Sequence, residues 1–131
     1  MRLRLELFVD SVPDSMDFYT RVLGFEIISY QPDDYSVFRK GAVQISLQNQ
    51  SYLSDDHPLK PHNRPMGLGI EIVIEVKDVE AMYEQVRREH WQINDTLAQR
   101  PWGLKDFRII DPNGFYIRIT ELSAVKTRSQ S

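Results

Sequence analysis

Apolar residues occupy every second place along the first nine positions. Leu3, Leu5, Leu7 and Val9 share one face, with Arg4, Glu6 and Phe8 on the other, a pattern that predicts a half-buried strand. The period then changes. Val12, Met16, Tyr19 and Leu23 fall at helical spacing, Ser11 stands at the N-cap position with Asp14 three residues on, and Gly24 supplies a C-terminal stop. Further strands are expected near residues 25–30, 35–40 and 42–48, the last two joined at Lys40-Gly41.

The same order then repeats. Ile70, Ile72, Ile74 and Val76 alternate with Glu71, Val73 and Glu75, and Asp78 is placed to cap a helix whose inner face is Val79, Met82, Tyr83 and Val86. Strands near residues 91–94, 107–110 and 115–121 complete the second copy, with the turn Asp111-Pro112-Asn113-Gly114 between the last two. Val9 to Val12 parallels Val76 to Val79, and Ile45-Ser46-Leu47 parallels Ile117-Arg118-Ile119. An offset of roughly seventy residues exceeds solenoid periods, so two copies point to a paired domain and not to an array. The expected class is α+β: two βαβββ modules forming a curved, mostly antiparallel sheet around a concave cleft, with helices outside. The expected divisions are module one at 1–49, a loop at 50–66, module two at 67–122 and a frayed tail at 123–131. The loop is long, polar and rich in proline, as suits a linker that lets modules exchange between subunits or a lid.

Composition narrows the function classes. The 131 residues suit one domain with a real core, and the net charge of −3 without a basic block gives no reason to expect nucleic acid as a partner. With no cysteine, disulfides and thiolate metal sites are excluded, which fits a cytoplasmic location. No apolar run approaches membrane-spanning length, so no membrane partner is expected.

The stretch from Arg100 to Glu121, with Phe18-Tyr19-Thr20-Arg21-Val22-Leu23-Gly24-Phe25 near the start, resembles the vicinal-oxygen-chelate superfamily over about residues 3 to 122. That group includes glyoxalase I, extradiol dioxygenases, fosfomycin-resistance enzymes and bleomycin-resistance proteins. Strand alternation points Arg4, Ser46, Glu71 and Arg118 into the cleft. The resemblance implies that many enzyme members carry metal ligands at about these four places, a glutamate standing where this chain has Arg118. Arginine has no lone pair to give, so no metal and no cofactor are expected there. His57 and His62 read as solvated loop residues, and His90 as a partner of the second helix's C-terminus.

The residues expected to hold a ligand are therefore Arg4, Phe8, Ser46, Glu71, Trp102, Phe107, Tyr116 and Arg118, with Phe38 as a further aromatic surface. No catalytic residue stands out. The resemblance then implies a metal-free, homodimeric protein similar to the bleomycin-resistance branch, binding a small organic molecule in the cleft. The cleft arginines disfavour cationic bleomycin itself and suit an anion. The alternative is a lyase, isomerase or dioxygenase of the same superfamily, using another metal site or Glu71 as a base.

Overall fold

The alternation of the first nine residues becomes strand β1, Leu5–Val9, after which the chain turns into helix α1, Val12–Asp17. The computed structural model describes residues 1–61 and 66–122; His62 and the tail beyond Leu122 lie outside the described residues. The Asp14 backbone N–H donates to Ser11 Oγ at 3.2 Å, as the capping pattern requires. The helix widens into a π-helical turn over Phe18–Val22 and stops at Gly24, whose φ of 78° is the left-handed value that glycine adopts freely. Strands β2 (Glu26–Ser29), β3 (Ser36–Lys40) and β4 (Val43–Asn49) complete the first unit, Met1–Met66.

Its sheet runs β1-β4-β3-β2, parallel at β1/β4 and antiparallel elsewhere. Val9, Val12, Tyr19, Phe38, Ile45 and Leu47 are fully buried between this sheet and the helix. Phe38 stacks on Tyr19 with ring centroids 4.7 Å apart and meets Phe25 edge-on at 5.1 Å. It is a core residue and not a cleft surface. Leu3 and Arg4 precede β1 and are exposed, and β2 is shorter than the alternation suggests because Phe25 leaves the strand for the core. The following loop closes on itself through Lys60, whose Nζ donates to the carbonyls of Gln50 (3.2 Å) and Leu53 (3.3 Å). His57 Nδ1 accepts the Leu59 N–H at 3.0 Å, so one of its two ring nitrogens is already committed.

The second unit begins at Gly67 and repeats the plan. It has β5 (Glu71–Val76), α2 (Val79–Arg88), β6 (Asp95–Gln99), β7 (Lys105–Ile110) and β8 (Tyr116–Glu121), in the sheet order β5-β8-β7-β6. Each unit thus joins its first and last strands in parallel, and the two sheets with few helices make an α+β protein. Asp78 Oδ1 caps α2 by accepting the Ala81 N–H at 3.0 Å. At the other end His90 adopts φ 58°, and its backbone N–H donates to the Arg87 carbonyl at 3.0 Å. The residue closes the helix through its backbone.

Residues 91–94 are not a strand. The Trp91 N–H reaches back to the Val86 carbonyl (3.3 Å) and its indole N–H donates to the Ile110 carbonyl (2.9 Å), so pairing with β7 starts later, at Asp95. In the turn after β7, Asp111 Oδ1 accepts the N–H groups of Asn113 and Phe115, each at 2.9 Å. Only Gly114, at φ 99°, uses the left-handed region there; Asn113 does not. Among the described residues no helix is long and apolar enough to cross a membrane.

Phe38→Ala removes the ring on which Tyr19 and Phe25 converge. It should lower the stability of the protein by about 3 to 5 kcal/mol, measured by urea denaturation, with no new transition if the first unit unfolds cooperatively.

Candidate functional site

Alternation in the second sheet sends Phe107 and Ile109 of β7 with Ile117 and Ile119 of β8 into the core, where Phe107 meets the Tyr83 ring of α2 at 5.0 Å. Phe107 is fully buried there and is removed from the candidate ligand contacts. The residues between them face the opposite way. Asp106, Arg108 and Ile110 of β7 oppose Thr120, Arg118 and Tyr116 of β8, and Glu71 and Val73 of β5 oppose Tyr116 and Arg118.

This face is densely charged. Arg118 Nη2 lies 3.3 Å from Glu71 Oε1, and the Arg118 guanidinium sits 5.7 Å from the centre of the Trp102 ring, a cation–π distance. Asp106 has no solvent exposure, and its Oδ1 accepts from Arg100 Nε at 2.7 Å. Arg100 also donates through Nη2 to the carbonyls of Thr96 (3.0 Å) and Asp106 (3.2 Å), and lies 3.4 Å from Asp95. One arginine therefore clamps β6 to β7. Arg108 Nε stands 3.6 Å from the same Asp106 oxygen, too far for a hydrogen bond. Burial works against the charge on Arg108, but hydrogen bonding to Tyr116 and the nearby carboxylates of Asp106 and Glu71 outweigh it and hold its pKa above the ordinary arginine value. It stays protonated.

The first unit presents a different face. Ser46 of β4, only 3% exposed, opposes Glu6 of β1, and Phe8 opposes Gln48. The Tyr35 hydroxyl lies 3.1 Å from both Glu6 Oε1 and Ser46 Oγ. With one proton it donates to the carboxylate, and Ser46 completes the contact. Arg4 stands at the exposed foot of β1, 3.7 Å from Glu6 Oε1, and does not enter this triad.

Four of the expected residues thus meet in one unit: Glu71, Trp102, Tyr116 and Arg118. Phe8 and Ser46 share a face of the other, with Arg4 at its margin. The sequence reasoning missed Arg100, Asp106, Arg108, Glu6 and Tyr35. The signal for Asp106 and Arg108 was present, since they alternate with Phe107 and Ile109 in β7. Arg100 and Tyr35 lie outside strands, where periodicity assigns no face.

The residues do not fit a divalent ion at the four positions named above. Arg4 and Arg118 carry positive charge without a lone pair, Ser46 is a weak donor held by Tyr35, and Glu71 already pairs with Arg118. Among the described residues no three His, Asp or Glu side chains gather in a geometry that could hold a metal ion.

Residues 3–119 match the sequence profile of the Glyoxalase/Bleomycin resistance protein/Dioxygenase superfamily. No curated protein matches the chain significantly in sequence. Among solved structures, a glyoxalase/bleomycin resistance protein/dioxygenase from Nocardioides is similar, with TM-score 0.75 and 20% identity, over 92% of this chain and 82% of that one. A lactoylglutathione lyase from Agrobacterium tumefaciens gives TM-score 0.71 and 18% identity, over 92% of each chain. An integron cassette protein from the mobile metagenome of V. cholerae gives 0.69 and 22%, over 94% of this chain and 95% of that one. At these identities the likeness is one of fold.

The Arg100–Asp106 clamp generates a stability test. Arg100→Met strands a buried carboxylate and should cost about 3 to 5 kcal/mol, whereas Arg100→Met combined with Asp106→Leu should recover most of that loss. Denaturant titration of the wild type, the single and the double variant reads the difference directly.

Proposed function

Because the chain belongs to the glyoxalase/bleomycin resistance protein/dioxygenase superfamily, we propose that it is a small-molecule-binding member working without a divalent ion at the family's four ligand positions. In kind it is closest to the bleomycin-resistance proteins. The observation that carries this reading is Arg118, a guanidinium paired with Glu71 on the polar face of β8, at the place where the resemblance implies a metal-binding glutamate in many enzyme members. The pair spends the available carboxylate on an internal cation, and that guanidinium has no lone pair to give a divalent ion. Around it, Trp102 is 44% exposed and Val73 is 42% exposed, giving apolar surface beside fixed polar groups. Small-molecule sites have that character.

The protein is further proposed to act as a homodimer. Within its own sheet β2 is an edge strand, its four residues are all exposed, and Ile27 and Ile28 lie on it. Such an edge is a hazard for uncontrolled pairing unless it is covered.

Calorimetry with nickel, zinc, manganese and ferrous iron on protein stripped with chelator should show no stoichiometric tight site. One tight divalent site per chain, lost in Glu71→Ala, would sink the metal-free reading.

Light scattering at micromolar concentration should give twice the chain mass. A monomer mass at that concentration counts against the dimer.

A further inference from the structure

Arg108 and Arg118 occupy directly opposed positions on adjacent antiparallel strands, β7 and β8. Opposed residues in such a pair have Cα atoms only about 4.5 to 5.5 Å apart, and like charges there repel. The carboxylates of the face relieve this only in part. Asp106 and Asp95 are engaged by Arg100, at 2.7 and 3.4 Å. Glu71 reaches Arg118 through a single contact, from Nη2. Arg108 has Tyr116, an Asp106 oxygen at 3.6 Å that Arg100 already holds, the charge of Glu71, and Asp95 opposite it in the register of β6 and β7, where Arg100 engages that carboxylate too. The Nε atoms of Arg108 and Arg118 are both buried without a hydrogen-bond partner. A buried donor left unpaired is costly, and two of them on opposed guanidiniums mark a place where the protein leaves hydrogen bonding and charge unbalanced.

We propose that Arg108 and Arg118 are an anion-binding pair that takes the carboxylate of an aromatic acid, whose ring lies against Trp102 and Val73. A carboxylate offers two oxygens in one plane and can accept from two guanidiniums at once. It neutralises the opposed charges and accepts from the part of each guanidinium that solvent reaches, the two side chains being 20% and 21% exposed. The apolar companions set the rest of the ligand: Val73 opposes Arg118 in the register, and the exposed Trp102 ring lies beside the Arg118 guanidinium. Glu71 is then an internal stand-in for the ligand, holding Arg118 while the site is free. This assignment rests on the metal-free reading above, because a divalent ion at Arg118 would occupy the same place.

The test is calorimetry and thermal shift on chelator-treated protein, with benzoate, its uncharged counterpart benzamide, and inorganic phosphate as probes, repeated with zinc added. Benzoate should bind once per chain and raise the melting temperature, while benzamide should do neither. Arg108→Met and Arg118→Met should each weaken benzoate about tenfold or more, the range for a lost charged hydrogen bond. Trp102→Ala should weaken it several-fold, and Arg88→Met on the exposed side of α2 should leave it unchanged. Glu71→Gln removes the competing internal carboxylate and should tighten benzoate binding. That sign separates the proposal from a purely structural ion pair, which predicts no gain, and it holds even where an arginine variant fails to fold. Phosphate binding without benzoate binding overturns the aromatic-acid assignment. Benzoate binding that is weaker in Glu71→Gln, or unchanged in folded arginine variants, overturns the pair. No probe binding with or without zinc removes this proposal alone, whereas benzoate binding only when zinc is present overturns the metal-free reading with it.

Discussion

A carboxylate with no solvent exposure has to be matched inside the protein, and Asp106 makes that demand on the second unit. Arg100 meets it at 2.7 Å, and in doing so ties the end of β6 and the loop after it to β7. Arg100 holds the Asp106 oxygen at hydrogen-bond distance, Arg108 stands 3.6 Å from that same oxygen, and the register of β7 and β8 sets Arg108 opposite Arg118. Asp106 Oδ2 keeps no partner, so even the clamp leaves one acceptor unspent.

The two units place different chemistry on one scaffold. Both pair their first and last strands in parallel, cap a helix with a side chain just after the first strand, and end in an irregular edge strand, with register shifts in β2 and β6. On the polar faces they part. The first unit joins Ser46 and Glu6 through the Tyr35 hydroxyl, with Arg4 3.7 Å from Glu6. The second puts a guanidinium at the position equivalent to Ser46 and surrounds it with charge. Both faces keep unspent hydrogen-bonding capacity, Gln48 Oε1 on the first and the Nε atoms of Arg108 and Arg118 on the second, but the second combines it with opposed like charges. That difference is why the second face, and not the first, is read as the ligand site.

Most of the fold was legible because strand and helix periods leave a direct trace in apolar residues. The first helix's cap at Ser11, its stop at Gly24, the second helix's cap at Asp78 and the repeat itself can all be read from residue order, since each depends on contacts within a few residues. Within the family signature, Arg100 to Glu121, the turn from Asp111 to Phe115 is equally local, organised by one aspartate. Errors arose where one residue had rival uses. Trp91 looked like strand, yet its N–H groups close α2 and hold β7. Phe107 and Phe38 looked like surface aromatics, yet each falls on the core parity of its strand.

For the site, the sequence alone determined that Ser46, Glu71 and Arg118 leave the core, that alternation opposes them to buried neighbours, and that arginine at position 118 cannot ligate a metal. Only the tertiary structure decided which charges meet. Arg118 takes Glu71 and stacks by Trp102, Arg100 takes Asp106, and Arg4 stays at the margin of the other unit. Parity along a strand tells which face a side chain is on, whereas partnership depends on strand register and on where loops such as the one carrying Trp102 return. Both are set by contacts between residues distant in the chain, and no local pattern encodes them.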